Sequence, residues 1–166
     1  MEKNLQSAQA IAKLKELIGD TGTCMLITSG KSGKHATRPM AVADTDEEGN
    51  LWFFANKQSN KIKDIEIDHH VQIVFAHPGK NIFIDIHGRA GIVEDEQYIK
   101  DKWNPLVKAW FPGGISDPDL CLLKIKADEA NYWDTENSKV GHILKIAVSA
   151  VTGKKLEEGV HGELRF

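Results

Sequence analysis

The apolar residues of this sequence fall into short runs, each closed by residues that favour turns. Three of these runs occupy residues 24–28, 51–55 and 71–76. Runs of this length are typical of β-strands. They are far shorter than the ~18 apolar residues that a membrane-spanning helix needs. The pattern therefore predicts a β-rich fold, and it predicts no membrane span.

Helical periodicity is confined to the segments between and outside these runs. Apolar residues recur at helical spacing in residues 7–18, and Ser59 is a suitable N-cap for a short helix over residues 60–66. Residues 94–107 indicate a helix up to the break before Pro105. Residues 138–150 carry one apolar helical face and predict a C-terminal helix. We expect these helices to be inserted singly among the strands.

Six strands are predicted in total. They cover residues 23–28, 36–44, 51–55, 71–76, 81–93 and 120–127, and the last strand resumes at 130–133. Short strands separated by turns favour an antiparallel barrel, because a doubly wound sheet would alternate strand and helix throughout. The chain has 166 residues without an internal repeat or linker. We therefore expect one domain over residues 1–166, a mainly β, six-stranded antiparallel barrel with added helices.

Composition argues against several classes of function. The 24 acidic residues outnumber the 21 lysines and arginines, and no long basic block is present, so nucleic acid is a poor partner. Cys24 and Cys121 form neither a C-x-x-C pair nor a disulfide framework. Residues 1–9 lack the basic and apolar regions of a secretory signal. We expect a cytoplasmic protein.

Two motifs that suggest ligands do not meet the requirements of those ligands. Residues 30–34 (GKSGK) have two residues between the glycines and are followed by His35, whereas a phosphate loop needs four and then Ser or Thr. The four histidines of the central region have no zinc-site spacing; they are His69, His70, His77 and His87. We interpret the first motif as a hairpin tip and expect no metal.

One stretch of the sequence gathers the parts of a phosphate site. Ser59 offers a hydroxyl at a helix start, where the first-turn amides and the positive end of the helix dipole favour an anion. Lys61 adds a point charge, and Arg38 could supply a bidentate fork from a neighbouring strand. The aromatic strand at residues 51–55 would suit a flat ring attached to the phosphate. By pattern alone the alternative is a well-capped helix with solvated lysines after a core strand.

The order of these motifs resembles the flavin-binding core of the pyridoxamine 5′-phosphate oxidase-like split-barrel superfamily. The residues that carry this resemblance are 38–40 (RPM) and 52–61 (WFFANKQSNK). Residues 103–106 (WNPL), 110–114 (WFPGG), 117–120 (DPDL) and 132–134 (YWD) are similar to the general stress protein 26 subgroup. The resemblance covers roughly residues 10–151, and the fold that it implies is a split β-barrel.

The resemblance implies a homodimer with FMN at the subunit interface. Arg38, Ser59 and Lys61 match positions that hold the FMN phosphate, and Asn60 would add a backbone contact. The residues implied along the isoalloxazine edge are Thr37, Pro39 and Met40, and those beneath the ribityl chain are Phe54, Ala55 and Asn56. Trp110 and Trp133 are candidates for closing the site from the second subunit, or alternatively for packing in the core or the dimer.

The sequence departs from the true pyridoxamine phosphate oxidase in two places. Asn60 stands where an arginine usually follows the serine of the phosphate segment. The C-terminal signature of tryptophan, arginine and histidine is absent, because the chain ends in residues 161–166 (HGELRF). Both differences argue against pyridoxamine phosphate as the substrate.

The function implied is that of an FMN-dependent oxidoreductase. The flavin would exchange a hydride with an unidentified small substrate or a nicotinamide donor, and the protein would bind and orient it. No catalytic acid or base can be named from the sequence. The alternatives are a flavin-binding stress protein that sequesters or senses FMN without turnover, and a split barrel that binds haem or a deazaflavin.

Overall fold

The computed structural model describes residues 5–6, 8–134 and 160–166, which form nine strands and three α-helices. The strands are β1 (Leu5–Gln6), β2 (Thr23–Ser29), β3 (His35–Ala41), β4 (Asp44–Thr45), β5 (Leu51–Asn56), β6 (His70–His77), β7 (Ile82–Val93), β8 (Leu120–Asp134) and β9 (Val160–Arg165). The helices are α1 (Ala8–Thr21), α2 (Asn60–Ile67) and α3 (Glu96–Lys102). Two short 3-10 helices, Pro105–Ala109 and Gly114–Ser116, lie between α3 and β8.

The strands form a single curled sheet. Antiparallel pairs join β3 to β2, β2 to β6, β6 to β7 and β7 to β8. Beyond β3, the backbone N–H of Ala43 donates to the carbonyl of Trp52 at 2.8 Å, and β4 pairs with β5. Because β5 also pairs with β8, the β3 side of the sheet curls round towards β5. This arrangement confirms the split β-barrel.

Strand β8 changes partners along its length, which opens the barrel at one end. Residues 120–125 pair with β5, residues 129–134 pair with β9, and β7 runs along the opposite edge. The register of β7 shifts between His87 and Gly88. A Cβ at Gly88 would meet the carbonyl oxygen of Lys126 far too closely, so this bulge requires glycine.

The main core lies between α1 and the concave side of the sheet. One face of α1 is buried through Ala10, Leu14, Leu17 and Ile18. The helix ends at Thr21, and the next residue, Gly22, has a positive φ of 64° and donates its N–H to the Ile18 carbonyl at 2.8 Å. A second buried cluster packs outside β5 and β8 against the segment that follows α3; its members are Trp52, Ile99, Phe111, Leu120 and Leu122.

All six predicted strands are present, and the differences have local causes. The segment predicted as one strand over residues 36–44 is divided into β3 and β4. The helix predicted over 94–107 covers only Glu96–Lys102, because the backbone becomes extended at Trp103 before Asn104 and Pro105. Strands β1 and β9, which pair with each other, were not predicted. The C-terminal helix predicted over 138–150 lies outside the described residues.

Within the described ranges, no helix is both long and apolar enough to cross a membrane. The same part of the chain holds no group of three or more histidine, cysteine or carboxylate side chains placed to bind a metal ion.

Candidate functional site

A cavity of about 810 Å³ opens between β3, β5, the start of α2 and the segment after α3. Seven of the residues predicted from the sequence lie in its wall: Pro39, Met40, Phe54, Ala55, Asn56, Lys61 and Trp110. The rest of the described wall is largely apolar, and Lys61 is its only ionisable side chain. The cavity therefore combines an apolar wall with one positive charge, a composition typical of small-molecule sites.

The chain turns sharply from β5 into α2 at one side of this cavity. The Asn56 side-chain oxygen accepts from the Gln58 N–H at 2.7 Å, and the Ser59 N–H donates to the Asn56 carbonyl at 3.0 Å. Ser59 occupies the N-cap position as predicted, but its hydroxyl donates to the Asn56 carbonyl at 2.6 Å and caps no helix amide. The first amides of α2 consequently have no side-chain cap.

Lys61 is a half-buried cation in the first turn of α2. Its ammonium makes no hydrogen bond or ion pair of its own with any side chain in the described ranges. Burial lowers the pKa of Lys61 below its ordinary value, and the positive charge of Arg38 lowers it further. Lys61 in the cavity wall and Arg38 next to it repel each other, and an anion placed near both would relieve this repulsion.

Arg38 is fixed beside α2 by a small polar network. Its guanidinium donates to the Thr28 hydroxyl at 2.8 Å, and its Nη2 lies 3.6 Å from an Asp64 carboxylate oxygen. The Thr28 hydroxyl in turn donates to the same carboxylate at 2.7 Å. Thr28 is only 1% exposed. The guanidinium is thus oriented by two residues, and its remaining N–H groups are available to a ligand.

Thr28 and Asp64 are the residues of this site that sequence reasoning missed. They lie 36 positions apart in the chain, and neither belongs to a recognisable motif. Only the pairing of β2 with β3, which sets Leu26 opposite Arg38, brings Thr28 within reach of the guanidinium. Strand register of this kind cannot be read from a single sequence.

Five of the predicted residues do not line the cavity: Arg38 and Ser59, described above, and Thr37, Asn60 and Trp133. Thr37 is an exposed residue of β3, adjacent in sequence to Arg38, and Asn60 is exposed at the first position of α2. Trp133 is exposed on β8, opposite Phe83 of β7. Trp110, a candidate for closing the site from the second subunit or for packing in the core or the dimer, lines the cavity of its own chain.

The cysteines offer no nucleophile to this site. Burial raises the pKa of the Cys24 thiol to about 12 and that of the Cys121 thiol to about 11. The Cys121 thiol donates to the carbonyl of Ala55 at 3.4 Å, just behind the cavity wall. Both thiols are therefore protonated at neutral pH and serve as packing groups.

The fold and the cavity together define a split-barrel protein with a cavity in the barrel wall. A family model described as pyridoxamine 5′-phosphate oxidase like matches residues 9–157. The chain therefore belongs to the pyridoxamine 5′-phosphate oxidase-like family.

Individual relatives agree with this assignment. Protein bli-3 of Neurospora crassa is 30% identical over 156 residues, which is 88% of this chain and 75% of that protein. The general stress FMN/FAD binding protein of Xanthomonas citri is 31% identical with a TM-score of 0.66, covering 78% of this chain and 90% of that one. A structure from Jannaschia sp. CCS1, provisionally assigned as a general stress protein 26, has a TM-score of 0.78 at 24% identity, covering 96% and 99%. The last comparison supports the fold alone.

Proposed function

We propose that this chain binds FMN in the cavity between β3, β5 and α2, as an FMN-dependent oxidoreductase. The observation that carries the proposal is the pair formed by Arg38 and Lys61. Their charges lie close enough for Arg38 to lower the pKa of Lys61, and Lys61 stands in the wall of an otherwise uncharged cavity. A terminal phosphate dianion would relieve this repulsion, because it favours the charged form of both side chains.

The residues present fit FMN by the chemistry of their donors. Arg38, Lys61 and the uncapped amides at the start of α2 would hold the phosphate. The Ser59 hydroxyl would join them by turning away from the Asn56 carbonyl, to which it donates in this structure. Pro39, Met40 and Phe54 would contact the flat ring system, and Asn56 would lie along the ribityl chain. When bound, FMN supplies hydride exchange at its ring, while this chain orients the ring and excludes water from one face.

A homodimer is part of this proposal, and an exposed apolar face supports it. Phe83 and Trp133 lie directly opposite each other on β7 and β8, and both are exposed. Met25 is also exposed and pairs with Pro39, which lines the cavity. This face therefore continues to the edge of the cavity. Apolar patches of this kind mark interfaces, and a second copy of this chain would cover it with the same residues.

The test of flavin binding is the absorbance spectrum of the purified protein, combined with mass spectrometry of the molecule released on denaturation. FMN gives bands in the blue and near ultraviolet and a characteristic mass. Haem or a deazaflavin, the ligands of the alternative split-barrel function, would give a different spectrum and mass and would overturn the proposal.

A non-catalytic flavin-binding protein is the second candidate function, and one observation favours it. The described residues of the cavity wall include no histidine or carboxylate side chain. The one ionisable side chain, Lys61, is assigned to the phosphate, so this wall offers no further group for general acid or base catalysis. Steady-state oxidation of NADH and NADPH by the FMN-loaded protein separates the two functions. Turnover well above that of free FMN supports the enzyme, and no turnover with any donor or acceptor supports the binder.

A further inference from the structure

Two large apolar side chains stand exposed at the mouth of the same cavity. Leu106 is 74% exposed and Trp110 is 75% exposed, and both belong to the cavity wall. They follow α3 on a segment with no strand pairing. Single exposed apolar residues are ordinary, but two of this size lining one cavity form a joint apolar surface of the kind that marks ligand-binding grooves.

Hydrogen bonds and burial within the segment hold Leu106 and Trp110 in these exposed positions. The Asn104 side chain accepts from the Leu106 N–H at 2.9 Å, and the carbonyl of Val107 accepts from the Trp110 and Phe111 N–H groups at 3.0 and 3.2 Å. Phe111 is buried in the second core cluster. The segment is thus tied down at both ends, and this holds Leu106 and Trp110 at the cavity.

The charge pattern of the wall limits what these two side chains can bind. Lys61 is the only ionisable residue among the described lining residues, and the proposed function assigns it to the phosphate of FMN. The wall around Leu106 and Trp110 then offers apolar surface and the amide of Asn104. Such a surface stacks well on an aromatic ring and gives no compensation for a second charge.

We propose that Leu106 and Trp110 form a binding subsite for an uncharged, planar aromatic molecule, with neutral quinones as the representative class. This inference rests on the proposed function, because it assigns Lys61 to the cofactor and leaves the subsite to the second reactant. The cavity volume of about 810 Å³ lies in the upper part of the range of roughly 300–1,000 Å³ that is typical of ligand pockets. It therefore suits a cofactor together with a second flat molecule.

The experiment measures binding of menadione, a neutral naphthoquinone, to the full-length FMN-loaded protein by equilibrium dialysis. We expect Trp110→Ser and the double variant Leu106→Ser/Trp110→Ser to weaken menadione binding by about tenfold or more, with FMN affinity unchanged within about twofold. The matched control is Ile67→Ser, which removes an apolar residue that is 49% exposed on α2 and outside this cavity. It should leave menadione affinity unchanged. A naphthoquinone sulfonate should bind more weakly than menadione.

Three results would overturn this inference. Equal menadione affinity in the wild type and the double variant would show that the two side chains bind no such ring. Loss of FMN affinity in Trp110→Ser would assign Trp110 to the cofactor itself, and conversion to monomers on gel filtration would assign both residues to a subunit interface. A wild-type protein that binds no FMN would overturn the proposed function rather than the subsite. Menadione dialysis against the flavin-free protein then still tests the subsite by itself.

Discussion

Arg38 of β3 lies close enough to Lys61, in the first turn of α2, for its positive charge to help lower the pKa of Lys61, and Lys61 lines the cavity. Arg38 has a partial counterion in Asp64, with 3.6 Å between Nη2 and the carboxylate. Lys61 has no such partner among the described side chains. The site therefore keeps an unfavourable charge in the absence of a ligand, which is typical of binding sites that trade stability for function.

Replacing Lys61 should separate stability from binding. The pKa of Lys61 in the folded protein is lowered from 10.5. The charged lysine therefore destabilises the folded state at neutral pH, and this destabilisation disappears as pH rises from the lowered pKa towards 10.5. Lys61→Met should raise the melting temperature of the flavin-free protein and lower FMN affinity by at least about tenfold. Calorimetry with and without FMN measures both effects. Lys63→Met, an exposed lysine of the same helix, should change neither, and lower stability of Lys61→Met would contradict the account.

The same shift predicts how FMN affinity depends on pH. The phosphate is a dianion above its second pKa of about 6, and Lys61 loses its proton as pH rises through its lowered pKa. FMN affinity should therefore be greatest between these two values and should fall on the alkaline side at a pH below 10.5. Titrations from pH 5 to about 10 check this, with Lys61→Met as the reference. If FMN affinity declines at alkaline pH in Lys61→Met as it does in the wild type, the decline belongs to another group and the account is contradicted.

Thr28→Val should disturb the support of Arg38. The buried hydroxyl accepts from Arg38 at 2.8 Å and donates to Asp64 at 2.7 Å, so valine leaves both partners short of a hydrogen bond. We expect a loss of about 1–3 kcal/mol in the free energy of unfolding, together with weaker FMN binding. Chemical denaturation and FMN titration measure the two effects. Thr28→Ser keeps the hydroxyl and should restore FMN affinity; equal FMN affinity in the valine and serine variants would show that the network does not orient Arg38.

The bulge in β7 provides a matched pair of glycines that tests the barrel geometry. Gly88→Ala would push a Cβ against the carbonyl of Lys126, whereas the nearest atom to a Cβ at Gly91 is the Lys124 carbonyl at 3.9 Å. We expect Gly88→Ala to cost about 1–3 kcal/mol of unfolding free energy and Gly91→Ala to be nearly neutral. Urea denaturation of both variants measures the difference. Equal unfolding free energies for Gly88→Ala and Gly91→Ala would show that the backbone does not pass close to residue 88 and would contradict the bulge at this position.

Much of the fold could be predicted because its signals are local. The short apolar runs predicted all six barrel strands, and the Ser59 N-cap position and Lys61 were found because they follow one another directly after β5. Strand β9 was missed because its sequence, VHGELR, alternates too few apolar residues to indicate a strand. It is extended because the second half of β8 offers it a free edge.

The parts of the site that were missed depend on contacts between distant segments. The anchoring of Arg38 by Thr28 and Asp64 follows from strand register and from how α2 packs on β2. Trp110 was named as a site residue from the resemblance, but its place at the cavity of its own chain follows from the burial of Phe111 in the second core cluster. Neither arrangement leaves a pattern in the local sequence, since tertiary packing alone decides it.

The affinity of Arg38→Ala for FMN and for riboflavin tests the phosphate site most directly. Charge-assisted hydrogen bonds to the phosphate contribute about 1.5–3 kcal/mol, so the variant should lose roughly tenfold to over a hundredfold in FMN affinity. Riboflavin has no phosphate, and its affinity should be retained, which distinguishes a local loss from misfolding. Arg89→Ala removes an exposed arginine that is paired with Asp128 outside the cavity and should bind FMN as the wild type does. FMN affinity that is unchanged in Arg38→Ala would contradict the account.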